Sequence, residues 1–310
     1  MSPHSMIAAC LCGTLFAAAA WAGDIDRDPP PQESLQLVLD RIHTHAGGAA
    51  WKERNWTDAA IEGWIDKLLK QLGEATGKEL KAPVRLKDVK PAGDTDQLLR
   101  GHLKIGKHVK QSSVYDSIVL ADGNAELSTV KNSIVIARSV ATTSSVENSL
   151  IIAGRYFRCS SDRVVNANPT SSILISRGHG EITIARGTII CAPLGIEVSL
   201  AENVTFVNCK VNRALNQQNV QMVNGKPLPL GEPPVSALEK QLELLGYMPS
   251  PPGALFRFQG RRLFAEKDQP IVDELGAPVK ELAGWSLSHV DLRMALFTSG
   301  EQEACLIRAR

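Results

Sequence analysis

The chain has 310 residues, 34 of them basic and 33 acidic, for a formal net charge of +1. That balance removes the electrostatic case for nucleic acid or an anionic membrane surface as a partner. At 44% apolar and 22% charged residues the chain is globular, and its length suits one large domain or two smaller ones.

The first element in chain order is an apolar stretch over residues 7–20 that ends in Ala20-Trp21-Ala22. It is short for a membrane span and closes on a small-x-small cleavage pattern, so residues 1–22 are expected to be a signal peptide and Gly23 the first mature residue. No Lys or Arg precedes it, and a Pro-rich stretch, Asp28-Pro29-Pro30-Pro31, comes directly after. Export implies a periplasmic or extracellular location. Cys10 and Cys12 would leave with the peptide, whereas Cys159, Cys191, Cys209 and Cys305 remain, an even number that permits disulfides. There is no CxxC pair to suggest a zinc ribbon. No second apolar run approaches 18 residues, so no membrane span is expected.

Residues 23–100 form a helical N-terminal region. Leu35, Val38, Leu39 and Ile42 make one apolar stripe; Ile61, Trp64, Leu68 and Leu72 make another, after a capping Asn55-Trp56-Thr57-Asp58 start. These helices are expected to cap the first coil of the repeat region that begins near residue 101. His43-Thr44-His45 has the spacing of two metal ligands on a strand. It sits at a helix end with no third ligand, where imidazole is already favoured by the helix dipole, so neither metal nor cofactor is expected.

The informative region is 114–209, within a parallel β-helix expected over residues 101–223. Val114–Ala121, Val130–Ala137 and Val146–Ala153 match almost residue for residue, each beginning 16 residues after the last. Fixed-period self-similarity in a short Val/Ile/Ser-rich unit predicts a β-solenoid. The pattern continues at Ser171–Ser176, Gly187–Ala192 and Val204–Cys209, with steps of 16, 16, 23, 16 and 17. One column then reads Ser117, Ser133, Ser149, Ser172, Thr188, Thr205. Its neighbour reads Ile118, Ile134, Leu150, Ile173, Ile189, Phe206, and with Leu120 is expected to fill the interior. Asp116, Asn132 and Asn148 are expected to stack just before the strand, where Asn tolerates a bend and amides can bond along a ladder.

These repeats resemble a parallel β-helix of the pectate-lyase-like, right-handed type over residues 101–212, with coils shorter than that family usually shows. Left-handed and bactofilin-like solenoids share the general pattern. The resemblance implies a polysaccharide or cell-envelope component as partner. Lyases of that class need an acidic cluster for calcium and an Arg or Lys base; the hydrolases use several Asp residues on adjacent coils. Here the columns Tyr115/Lys131/Glu147 and Asp122/Arg138 offer ordinary cross-strand pairs instead, and no catalytic signature is found.

The seven-residue excess is placed within Gly154–Pro169 and read as a loop bearing Arg155, Tyr156, Arg158, Asp162 and Arg163, suited to sugar or carboxylate recognition. His179, between Gly178 and Gly180, is a candidate base at a turn. Within 224–310, residues 224–234 and 249–253 read as linkers, Val235–Tyr247 as a short helix, and 254–310 as a small antiparallel sheet with turns at Gln259-Gly260 and Ser299-Gly300. The whole is mainly β: a parallel β-helix with an N-terminal helical cap and a small C-terminal antiparallel segment. The expected function is a rigid exported scaffold or glycan-binding surface; a polysaccharide lyase or hydrolase is the alternative.

Overall fold

The computed structural model describes residues 34–53, 56–93, 96–162, 172–231, 237–290, 294–300 and 302–308. Each turn of the chain contributes a short strand and a long one. Among the described residues the short strands stack as a nine-stranded parallel sheet, from Lys90–Pro91 to Gln221–Val223. The long ones stack as an eight-stranded parallel sheet, from Leu98–Arg100 to Val211–Gln218. The protein is a parallel β-solenoid of about eight turns.

Its register follows the 16-residue step: Ile118 lies beside Ile134, and Ile134 beside Leu150. The last step differs from expectation. Ile189 pairs with Thr205 and Ile190 with Phe206, so that step is 16 rather than 17. Val204 therefore stands in the hydroxyl column, and Phe206 turns into the space between the sheets. The Phe206 side chain fills an interior position that Val119, Val135 and Ile151 hold in earlier coils.

The corner before each short strand explains the stacked Asp and Asn residues. Asp116, Asn132, Asn148, Asn203 and Asn219 have φ between 46° and 56°, and Gly187 has φ 62°. Asn and Gly enter this left-handed region most easily, so they recur where each coil must bend. The Asn132 amide donates to Asp116 Oδ1 at 3.1 Å, and the Asn219 amide to Asn203 Oδ1 at 3.1 Å.

The next residue forms a second ladder. Ser117 N–H donates to Ser133 Oγ at 3.1 Å, and Ser133 N–H to Ser149 Oγ at 3.0 Å. Each hydroxyl donates in turn to the carbonyl two residues before it: Ser117 to Tyr115, Ser133 to Lys131, Ser149 to Glu147. These hydroxyls are buried and reconcile the backbone with its neighbours where the bend interrupts the sheet.

The inside–outside expectation is corrected. Ile118, Leu120, Ile134 and Ile136 do not line the interior. They face outward into a cluster with Leu39, Ile42, Ile61, Leu68 and Leu72 of the helices. Val119, Ala121, Val135 and Ala137 face inward, opposite Val130, Val146 and Ile182 of the long-strand sheet. All four positions of Ile118–Ala121, Ile134–Ala137 and Leu150–Ala153 are buried. A parallel sheet covered on both faces reads as a continuous apolar run, as these segments do.

The cover is a helical hairpin, α1 (Leu35–Ala46) and α2 (Ala59–Thr76). Asp58 caps α2 by accepting from Ala60 and Ile61 N–H, and its carboxylate also binds Arg41 Nε and His45 Nε2 at 2.8 Å. The helices lie along the side of the solenoid rather than across its first coil: α1 touches the strands His102–Gly106 and Ile118–Ala121, and α2 reaches Thr205–Val207. The return segment closes the cover, with Leu35 N–H and Trp64 Nε1 both donating to Pro229 O.

The C-terminal region is antiparallel, as expected, in a four-stranded and a three-stranded sheet that share a core built on Phe256 and Phe297, 5.0 Å apart edge to face. Gln259-Gly260 and Ser299-Gly300 make the expected turns. The helix expected at Val235–Tyr247 is absent among the described residues: a single 3-10 turn, Glu239–Gln241, leads into the strand Leu242–Pro249. Leu242 and Leu244 pair against Phe258 and Phe256, and that sheet packing overrides the helical spacing of the leucines.

Candidate functional site

The long-strand sheet turns its outer face toward the C-terminal β unit, and the site is built where they meet. Cross-strand register sets one outer column as Glu126, Thr142, Arg158, Glu181 and Glu197. The column before it reads Val140, Tyr156, His179, Gly195. Val140 and Tyr156 are buried against Met294, Leu296 and Cys305, which seats the C-terminal unit on the middle of the solenoid. Arg155, 6% exposed, pairs with Glu239 at 3.1 Å, and the same Glu239 oxygen accepts Cys305 N–H.

The sequence-predicted loop is thereby corrected. Tyr156–Asp162 is a strand in register with both neighbours, so Arg155, Tyr156, Arg158 and Asp162 occupy an ordinary coil. Asp162 stands where Val146 stands one coil earlier, and Ser172 where Ser149 stands, so the extra residues fall between Asp162 and Ser172. Arg163 lies outside the described residues. Arg155 and Tyr156 are anchors between the two units: Arg155 holds Glu239 and Tyr156 packs on Met294 and Leu296, while Tyr156 Oη donates to Glu181 of the next coil at 3.1 Å. Arg158 is half-buried on the outer column between Thr142 and Glu181.

Beyond these anchors the units separate into a cleft of about 740 Å3. Its solenoid wall is His179, Glu197, Asn212 and Arg213; its other wall is Glu239, Leu242, Leu244, Leu306 and Arg308. Two small residues shape that wall. A Cβ on Gly180 would lie 2.6 Å from the Phe157 ring, so the strand carrying His179 can pass over this interior Phe only with glycine there. A Cβ on Gly195 would lie 2.3 Å from the Asn212 amide and 3.0 Å from His179 Nδ1, so only glycine leaves room for those two side chains where they stand. Burial, and then the nearby Lys210 charge, hold the His179 imidazole below its ordinary range, neutral at pH 7. His179 opens a strand, His179–Arg186, rather than sitting in a turn.

The His43-Thr44-His45 pair is split between two carboxylates. His43 Nδ1 is 2.7 Å from Asp122 Oδ2, and Asp122 also accepts from Arg138 Nε at 2.7 Å. His45 turns to Asp58. Arg138 reaches on to Asp40 and the Leu39 carbonyl, so the Asp122/Arg138 pair is a clasp between solenoid and α1. No group of three or more His, Cys, Asp or Glu side chains among the described residues is arranged to hold a metal ion. No disulfide joins Cys159, Cys191, Cys209 and Cys305. Burial raises the Cys209 thiol to about 12 and pushes Cys191 up as well, so both stay protonated at neutral pH.

Sequence reasoning singled out His179 but missed Glu239, Asn212, Arg213 and Arg308. These residues come from the last coil and from the C-terminal unit, so only the packing of one on the other brings them together. No helix among the described residues is long and apolar enough to cross a membrane. Compared with known proteins, the chain matches no family model, no curated protein and no solved structure.

Proposed function

We propose that this is an exported, pectate-lyase-like β-helix protein that binds a glycan of the cell envelope in the cleft between its solenoid and its C-terminal unit. The observation that carries the reading is the cleft itself. At about 740 Å3 it falls in the size range of small-molecule sites, about 300–1,000 Å3. Its lining offers guanidinium, amide and carboxylate groups, the set that pairs with sugar hydroxyls and acidic sugars, beside the apolar Leu242, Leu244 and Leu306. The test is a glycan array probed with purified protein. Arg213→Ala combined with Glu197→Gln should lower binding at least tenfold, and retention of full binding by that double variant would place the ligand elsewhere. Amino-terminal sequencing of protein from cells tests export: it should read from Gly23, and an intact Met1 would overturn export.

A polysaccharide-cleaving activity is the second reading. It is favoured by a neutral imidazole, His179, in the same cleft as the carboxylates Glu197 and Glu239. Release of unsaturated or reducing ends from the bound glycan, abolished by His179→Ala, would establish it; binding without turnover would reject it.

A further inference from the structure

The solenoid ends in an open coil. Among the described residues Val211–Gln218 and Gln221–Val223 are the last strands of their sheets, each hydrogen-bonded on one side only. Leu215 is 56% exposed and Met222 54%. Val211 and Val220 are only partly covered, whereas their counterparts one coil earlier, Ile196 and Val204, are fully buried. Among the described residues the stretch that follows Val223 does not close this end, because Leu228 and Leu230 turn back along the helices. The opposite end is different. Its strands Lys90–Pro91 and Leu98–Arg100 are two and three residues long and include a proline, and short strands and proline both blunt a sheet edge.

We propose that this C-terminal coil is a self-association surface, on which two copies pair edge to edge with Val211–Gln218 antiparallel to itself in a closed two-fold dimer. The edge chemistry is self-complementary. Asn212, Asn216, Gln217, Gln218 and Gln221 each carry a donor and an acceptor, so each can bond its own kind. The only charge on the strand is Arg213, and a two-fold axis at Ala214 sets it opposite Leu215 rather than opposite itself. Eight residues at about 3.3 Å each, across two sheets about 10 Å apart with their side chains, give an end face of roughly 26 by 20 Å. Two such faces bury on the order of 1,000 Å2, enough for a specific but reversible dimer. The blunted opposite end leaves no matching edge for head-to-tail growth, so the assembly stops at two.

The backbone identifies the variant that tests this pairing. Gln218 C=O faces the preceding coil, where it accepts Asn203 N–H at 2.8 Å, so by strand alternation Gln217 presents its N–H outward. Gln217→Pro removes that outward donor and leaves the coil's own ladder intact. The experiment is analytical ultracentrifugation of the full chain from about 1 to 100 μM, with far-UV circular dichroism on every variant. The wild type should approach twice the monomer mass. Gln217→Pro and Leu215→Lys should each remain monomeric across that range. Leu98→Lys, at the other end, should dimerise like the wild type. A monomeric wild type at 100 μM overturns the proposal, as does a dimer that survives Leu215→Lys. Mass that keeps growing with concentration would show head-to-tail assembly and refute the closed dimer. If Gln217→Pro fails to fold, Leu215→Lys, which alters only an exposed side chain, decides the matter.

Discussion

Replacing Ser133 by Ala removes one oxygen from the buried hydroxyl ladder, and the cost can be worked out bond by bond. Ser133 Oγ donates to Lys131 O at 2.6 Å and accepts Ser117 N–H at 3.1 Å. The first loss is mild, because Lys131 O keeps another donor, Asp116 N–H at 3.0 Å. It is worth about 1 kcal/mol, the net value of a typical hydrogen bond. The second loss dominates. Ser117 is fully buried, so its N–H is stranded where water cannot reach it, at about 1–3 kcal/mol. Together the change should cost about 3 kcal/mol. For a chain of this size that is a fall in Tm of roughly 6–12 °C. Ser128→Ala is the control: the same residue type in the preceding long strand, but solvent-exposed, and expected within about 0.5 kcal/mol of wild type. Urea unfolding followed by circular dichroism reads both. If the two variants unfold at the same urea concentration, the ladder carries no net stability and the reasoning fails.

Asp should be rejected on both faces of a short strand: Ile134→Asp and Val135→Asp should each prevent folding, because one face meets the helices and the other the interior; a folded Val135→Asp, seen as a cooperative melt, would contradict that two-sided burial. At the corner, Asn132→Gly should be near neutral while Asn132→Val should cost about 1–2 kcal/mol, since a β-branched residue resists φ 49°; equal melting temperatures would refute this. Asp58 should contribute acid sensitivity. Burial raises its pKa, but bonds from Arg41, His45 and Ile61 N–H outweigh that and leave it below the ordinary value near 3.8. Its stabilisation is therefore present above about pH 4 and lost as pH falls through the lower folded-state value, so Asp58→Asn should flatten that part of the stability–pH curve. Cys209, raised to about 12, should resist iodoacetamide at pH 8 until denaturant is added; rapid labelling of the native protein would contradict its burial.

The repeat was legible because each coil restates it: the 16-residue step, the corner Asn and the buried Ser all emerge from matching Val114–Ala121 with its two successors. The antiparallel C-terminal strands were legible from their Gly turns. The facing of the short strands was misread, although the signal was present. Ile118-Val119-Leu120-Ala121 contains no polar residue, and a strand with one wet face would contain some. The excess was set partly too early, at Arg155–Asp162, because spacing alone shows that a coil is longer, not where in the coil the extra residues lie. The cleft was illegible for a different reason: Arg155 and Tyr156 stand out in sequence as exposed binding groups, yet Glu239, 84 residues beyond Arg155, covers one of them and Met294 packs on the other. Nothing local in the chain announces that docking.

The hairpin laid along the solenoid also changes how the protein comes apart. A stack in which each coil touches only its neighbours unfolds piecemeal, fraying from its ends. Here α1 grips the early coils, α2 reaches the strand Thr205–Val207, and Pro229 O ties both helices to the far end. Loss of the coil that carries Thr205–Val207 uncovers α2, and loss of the helices bares the outer face of the short-strand sheet. The array is thereby converted from a row of separable units into one cooperative block. Its melting should be a single sharp transition, and during synthesis the helices, made first, cannot find their full seat until residues near 230 have left the ribosome.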